Sequence, residues 1–271
     1  MKNPQMMPIQ PYLILRTDDY RTLRERKDGI SHFYEFTMEK RPENGMQAVP
    51  DGSVDLLFGI GTQDVRTYIG GTVLAAKGWE FEDGRRYFGV RFQPGSCLLP
   101  KELSIEDLVN RDLEIDGNLF GKNLTEQLAE AETIAGKAEI FLGEYRQMSG
   151  NRAPEGAEAI ERYVREQIYL SQGNISMTQL AEETGYSECY IRRIFKQIHG
   201  ISPKNFERFV RFQNMLRTMN AAKGTIRLDD LAQKCGYYDE SHMMKDFKNF
   251  AGMTPQNYDR MIAGTRLQEM F

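Results

Sequence analysis

"AEETGYSECYIRRIFKQIHGISP" at residues 181–203 and "AQKCGYYDESHMMKDFKNFAGMTP" at residues 232–255 are two versions of one pattern. Each runs from an Ala through Gly-Tyr to Phe-Lys and closes on Gly-x-Ser/Thr-Pro. Ahead of the first core, "SMTQLAEETG" predicts a short helix. Gly185 then supplies a tight turn that a Cβ would resist, and Ser187 stands where it can cap the next helix. The unit reads helix, turn, helix. Ala181 and Gly185 recur 51 positions later as Ala232 and Gly236, whereas Phe195 and Gly200 recur 52 positions later as Phe247 and Gly252. The second turn has gained one residue.

Winding the second helix of the first copy at about 100° per residue puts Ile191, Ile194, Phe195 and Ile198 on one apolar stripe. Cys189, Arg192, Arg193 and Lys196 fall on the opposite side, so one face anchors the helix and the other presents cations. In the second copy the stripe becomes Met243, Asp246, Phe247 and Phe250, and the outward face Ser241, Met244, Lys245 and Lys248. Asp239 falls at the N-cap and Glu240 in the first turn, where a negative charge meets the positive end of the helix dipole. The outward faces are unequal as readers of an anion. Arg grips guanine O6 and N7 with two parallel bonds, whereas Lys offers one flexible charge.

Two helix-turn-helix units about 51 residues apart, joined by a longer helix near Pro203–Asn220, resemble the DNA-binding domain of the AraC/XylS family of bacterial transcription regulators. The resemblance covers about Ala157 to Met261 and rests on "LAEETGYSECYIRRIFKQIHGISPKNFERFVRF" and "LDDLAQKCGYYDESHMMKDFKNFAGMTPQNYDR". It implies base or phosphate contacts at Cys189, Arg192 and Arg193 in copy one, and at Glu240, Ser241, Met244 and Lys245 in copy two. Met244, Lys245 and Glu240 depart from the more polar or Arg-bearing residues common in the family. The helical wheel adds Lys196 and Lys248 and assigns Glu240 to the rim. Double-stranded DNA is the implied partner, with RNA polymerase, a small-molecule effector and a homodimer among the family's further associations.

Outside the repeat, "MSGNRAPEGAE" carries Gly150, Pro154 and Gly156 within a few residues and marks a linker, here placed at 151–157. Residues 158–271 are then an all-α double helix-turn-helix domain. Residues 1–150 read as β-rich, with strands expected in "PYLILR", "ISHFYEFTM", "SVDLLFGI", "VRTYIGG" and "RRYFGVRF" and turns at Pro50-Asp51-Gly52 and Glu82-Asp83-Gly84. From Ser104 the periodicity turns helical, through "SIEDLVN" and "LTEQLAEAETIAGKAEIFLGEYRQM". The expected fold class is α+β: a cupin-like β barrel with trailing helices, then the readers. The β-rich half loosely resembles the sensing or dimerising domain that precedes such readers. Phe36, Phe58, Tyr68, Trp79, Phe88 and Phe92 are its expected core and Tyr34 and Trp79 candidate walls of an effector pocket, while Asp55 and Arg91 either orient a polar effector or, the preferred reading, form a surface ion pair.

The whole chain, 271 residues with 40% hydrophobic and 27% charged residues, is long enough for two domains and carries a formal net charge of −4. That balance is uneven: residues 1–151 hold 18 basic and 24 acidic side chains, residues 152–271 hold 17 and 15. A polyanion would favour the C-terminal half. No apolar run approaches the roughly 20 residues of a membrane span, and Met1 opens a polar, Pro-containing start without a signal-peptide core, so the cytoplasm is the expected location. Cys97, Cys189 and Cys235 share no CxxC spacing and there are only three histidines, His32, His199 and His242, so neither a metal site nor a cofactor is expected. Tyr186 and Tyr237, each following a turn Gly, are expected to pack. An enzyme of the β-barrel type is disfavoured because His32 is the sole histidine before residue 151. A sensor or interaction protein with weakened DNA binding remains the alternative, given the acidic balance.

Overall fold

The computed structural model describes residues 7–24, 27–40, 45–149, 156–222, 226–265 and 267. Its N-terminal half is a six-stranded antiparallel sheet in the order β1-β2-β7-β4-β5-β8, with a separate ribbon of β3 and β6. The strands are β1 Asp18–Leu23, β2 Ile30–Met38, β3 Met46–Ala48, β4 Asp55–Ile60, β5 Val65–Gly70, β6 Lys77–Trp79, β7 Arg85–Phe92 and β8 Asp112–Ile115. Helix α1 (Pro11–Arg16) precedes them, α2 (Ile105–Leu108) precedes β8, and α3 (Leu124–Glu130) and α4 (Ile134–Ser149) follow it. The β-rich domain with trailing helices is thus as the sequence led one to expect.

Alternation along β2, β4 and β7 sends Phe33, Phe58 and Phe88 to one face of the sheet and Tyr34, Phe36, Leu57 and Tyr87 to the other. The first face packs on α4, where Phe141 lies 6.2 Å from Phe33 and Tyr145 lies 5.3 Å from Phe92, ring centre to ring centre. The second face joins a core that continues through α1 and Phe81 into the C-terminal helices. Burial on both faces is why these strands read as nearly unbroken apolar runs.

"PYLILR" is a helix, not the expected strand. Pro11 occupies the first helical turn, where its fixed φ and missing N–H cost nothing, and Tyr12, Leu13 and Ile14 are buried. Its apolar density reflects enclosure on several sides. The long helical stretch after Ser104 divides: Ser104 caps α2 through the Asp107 N–H, and the break after Glu130 ends with Thr133 accepting from the Gly136 N–H. Most of the expected linker, residues 151–155, lies outside the described residues, and Gly156 already opens a helix.

Asp55 and Arg91 also differ from expectation. Instead of a surface pair they form a buried network: Arg91 Nε donates to Asp55 Oδ1 at 2.9 Å and Nη1 to Asp51 Oδ2 at 2.8 Å, while Tyr34 donates its hydroxyl to Asp55 at 3.0 Å. Gln10 bonds Asp51 at 2.9 Å and pairs with both backbone groups of Val49. Burial opposes the Arg91 charge, but Asp55 and Asp51 more than offset it and its pKa is raised; burial likewise pushes Asp55 up against the pull of Arg91. The apolar letters around these residues gave no hint of the pairing, because it closes across strands and the turn at Asp51.

The C-terminal half contains α5 (Gly156–Leu170), α6 (Met177–Thr184), α7 (Glu188–His199), α8 (Pro203–Ala222), α9 (Leu228–Lys234), α10 (Glu240–Ala251) and α11 (Pro255–Ile262). α8 splints the two repeats: Phe206 meets Phe195 of α7 at 5.4 Å, and Phe212 meets Phe247 and Phe250 of α10 at 5.6 and 5.3 Å.

Replacing Asp55 by Ala leaves Arg91 with one carboxylate fewer in a dry site and should cost about 3–5 kcal/mol, read as a lower denaturant midpoint. A second outcome concerns His32, whose pKa is drawn down to about 3 by burial and by the charges of Arg91 and Arg24. The folded imidazole is neutral, whereas the unfolded chain takes up a proton near pH 6.5. Stability is therefore fully present above about pH 6.5 and falls as the pH drops toward 3, and His32→Gln should flatten that part of the stability–pH curve.

Candidate nucleic-acid interface

Both repeats are helix-turn-helix units, α6–α7 and α9–α10. In the first, Gly185 ends α6 with φ +73° and Ser187 caps α7 by accepting from the Tyr190 N–H. Ile191, Ile194 and Phe195 are buried, and Cys189, Arg192, Arg193 and Lys196 are exposed, so the wheel placed every one of them correctly. In the second, Met243, Phe247 and Phe250 are buried; Ser241, Lys245 and Lys248 are exposed, and Met244 is half-buried.

The acids of the second copy are accounted for one by one. Asp239 caps α10, accepting from the His242 N–H at 2.7 Å. Asp246 sits on the apolar stripe because Arg208 of α8 reaches it, Nη2 to Oδ1 at 2.6 Å, while Tyr237 donates its hydroxyl at 3.4 Å. The bond to Asp246 raises the Arg208 pKa. Glu240 is exposed in the first turn, on the rim rather than the centre of the outward face.

Sequence reasoning missed the groups that orient the first reader. Glu188, the first residue of α7, accepts from Arg192 Nη2 at 2.6 Å and from Thr178 Oγ1 at 2.9 Å, tying Arg192 to α6. The Arg193 guanidinium lies 5.1 Å from the Tyr190 ring centre, and Tyr190 stacks on Tyr186 at 5.1 Å. Tyr186 packs on Tyr190 while remaining 45% exposed, whereas Tyr237 is buried as expected. The spacing Glu188–Arg192 is the one signal that was available, an acid four residues ahead of a cation on one helix face.

The N-terminal domain abuts the C-terminal end of each reader helix. After α7, Gly200 with φ +70° lies so close to Val109 that an added Cβ would stand 2.6 Å from it. After α10, the Ala76 N–H donates to Asn249 O at 3.1 Å, Tyr12 donates its hydroxyl to Ala251 O, and a Cβ on Gly252 would stand 2.9 Å from Gln47. Between them, Gln213 of α8 accepts from the Ile9 N–H at 2.8 Å and donates to Pro50 O at 3.0 Å. On the outward face of α7, Lys196 Nζ lies 3.9 Å from Glu106 Oε1 of the N-terminal domain.

Tyr34 and Trp79 do not line a common pocket. Tyr34 is fully buried beside a space of about 10 Å³, room for one water. Trp79 borders an open groove of about 600 Å³ with Tyr68, Phe81 and Tyr87. A larger groove of about 1410 Å³ runs between residues 95–106 and the helices α5 and α7.

The cap assignment has a measurable consequence. Asp239→Ala should lower stability by about 1 kcal/mol, whereas Glu240→Ala should change it by less than about 0.5 kcal/mol, both followed by thermal unfolding.

Residues 180–261 match the model of a helix-turn-helix domain family. An uncharacterized HTH-type transcriptional regulator of Haemophilus influenzae is 30% identical over 92 residues, which are 34% of this chain and 30% of that protein, so the chain matches less than a third of its relative. Among solved structures, the C-terminal domain of AraT, a response regulator from Geobacillus stearothermophilus, is 23% identical, with a TM-score of 0.37 over 41% of this chain and 92% of its own. ToxT from Vibrio cholerae with a bound unsaturated fatty acid is 12% identical, with a TM-score of 0.41 over 93% of this chain and 94% of its own. With its duplicated units splinted by α8, the C-terminal part of the chain contains a helix-turn-helix domain over residues 180–261.

Proposed function

We propose that the protein is a sequence-specific DNA-binding transcription regulator rather than an enzyme. The observation that carries the reading is that two reader helices, each anchored by buried aromatics, leave polar and cationic side chains exposed on outward faces of the same design. At 20 residues α8 is about 30 Å long, on the scale of the roughly 34 Å between successive major grooves on one side of a duplex. One chain can then address a nonpalindromic site. Arg192 and Arg193 carry most of the base discrimination, assisted by Cys189, while Lys196, Lys245 and Lys248 add phosphate affinity beside Ser241 and Met244.

The N-terminal domain acts as the controlling element in this reading. Because it contacts the ends of both reader helices and the middle of α8, a shift in its packing changes how the two readers sit relative to each other. An effector in the Trp79 groove or the larger groove beside α7 would work through its differential affinity for the two arrangements. RNA polymerase is the partner on which such a regulator acts, and a second copy of the chain is a further one. No helix among the described residues is long and apolar enough to cross a membrane.

Gel-shift titrations against a duplex selected by the wild-type chain test the assignment. The double variant Arg192→Ala/Arg193→Ala should lose discrimination between selected and scrambled duplexes, about 1–3 kcal/mol for each bidentate base contact removed. Lys245→Ala and Lys248→Ala should instead weaken both duplexes alike and lower the salt slope by about one each. Unchanged binding by the arginine variant would sink the reader assignment. For the coupling, Gln213→Met removes the bonds to Ile9 and Pro50 while touching neither reader; an unaltered DNA affinity in that variant counts against control through α8.

A further inference from the structure

The extra residue that shifts the second repeat from 51 to 52 has a structural identity. In copy one, the chain passes from the turn glycine Gly185 through Tyr186 to the cap Ser187. In copy two it passes from Gly236 through Tyr237 and Tyr238 to the cap Asp239. Counted from the glycine, Tyr237 matches Tyr186; counted from the cap, Tyr238 does. Tyr237 has gone inward: it is 7% exposed, bonds Asp246, and lies under the Arg211 guanidinium at 5.5 Å. Tyr238 is 95% exposed and has neither a hydrogen-bond partner nor a ring partner among the described residues. The insertion thus divides one tyrosine position into two, one serving the core and one held out in solvent just before the second reader helix.

The fold has no use for that ring. A polar residue such as Ser or Asn would continue the turn equally well, and a large aromatic with almost its whole surface in water gains nothing from burial. The first copy shows what the position does when it is structural: Tyr186 stacks on Tyr190, which supports Arg193. His242 stands where Tyr190 would be, and it lies edge-on to Tyr237 at 5.4 Å rather than to Tyr238.

Resting on the DNA-binding reading above, we infer that Tyr238 is a further DNA contact, its phenol hydroxyl donating a hydrogen bond to the phosphate–sugar backbone beside the groove that α10 enters. Three observations favour the backbone over a base edge. The residue lies before the helix, outside the outward face formed by Ser241, Met244 and Lys245. Its neighbours Asp239 and Glu240 are both acidic, so a cation at 238 would be neutralised locally, whereas a neutral hydroxyl on a rigid ring extends beyond them. Tyrosine is also among the side chains that contact phosphates to fix register without reading sequence. The second reader, without an arginine on its outward face, gains from an additional positioning bond.

The test uses the full chain, a duplex selected from a random pool by the wild-type protein, and a scrambled duplex of equal length. Tyr238→Phe removes only the hydroxyl. It should weaken both duplexes by the same factor, about 2- to 10-fold for one hydrogen bond, with no change in the salt slope, because a neutral donor releases no counterion. Tyr238→Ala should weaken binding at least as much, and the thermal midpoint of both variants should equal that of the wild type. Wild-type binding by Tyr238→Phe overturns the inference. So does a loss confined to the selected duplex, which would make the residue a base reader, or a loss that tracks a lowered thermal midpoint. If the wild-type chain retains no duplex, the parent reading falls as well; if it binds and only Tyr238→Phe is silent, this inference alone falls.

Discussion

Helix α8 is buried around most of its circumference, and that constraint organises the rest of the molecule. Phe206, Phe209, Phe212, Met215, Leu216 and Met219 would by themselves make a sticky, orientation-free rod. Three of its buried polar side chains remove that freedom, because each bonds a particular group outside the helix. Gln213 bonds backbone groups of the N-terminal segment, Asn220 accepts from the Tyr258 hydroxyl at 3.0 Å, and Arg211 donates to Gly173 O at 2.8 Å. A polar group buried without its partner costs roughly as much as several apolar contacts supply. Rotation or sliding of α8 would strand all of them together, so the helix holds both readers and the sheet domain in one register.

The same logic extends into the sheet. The Asp51 turn supplies Pro50 O to Gln213 and the Asp51 carboxylate to Arg91, so one short loop links α8 to the ion network under the sheet. Gln10 closes the circuit from α1, bonding Asp51 and Val49 while its neighbour Ile9 bonds Gln213. Buried ion networks of this kind are poor sources of net stability but strict specifiers of arrangement, since removing one member leaves another charge uncompensated. The sheet domain is thus tied to α8 through the same bonds that hold its own ion network.

Much of the reader domain was legible in the sequence because its signal is local. Gly185, Ser187 and the stripe of Ile191, Ile194 and Phe195 lie within one helical repeat, and periodicity alone orients them. What escaped was set by distant partners. "PYLILR" has the composition of a strand and becomes a helix that Pro11 starts and whose Tyr12, Leu13 and Ile14 are buried. Asp55 and Arg91 look like surface charges until β4 and β7 pair and bring them opposite each other. Tyr34 was read as a pocket wall from its amphipathic ring, and periodicity did not reveal that its hydroxyl bonds Asp55. Periodicity reports which face of an element is buried and says nothing about which polar atom waits there.

The unequal charges of the two repeats follow from the same division between local and distant demands. Copy two keeps an acid on its apolar stripe because Arg208 arrives from α8 to meet Asp246, a bond that ties the second reader to the splint. In copy one the position matching Asp246 is Ile194, packed without an ion pair, and it is Glu188, the counterpart of Glu240, that ties Arg192 to α6. Each repeat thus uses one carboxylate to restrain one arginine, an exposed arginine of α7 in the first and an arginine of the splint α8 in the second. The second unit is thus fastened by an arginine of α8, while the exposed cations of α10 are Lys245 and Lys248.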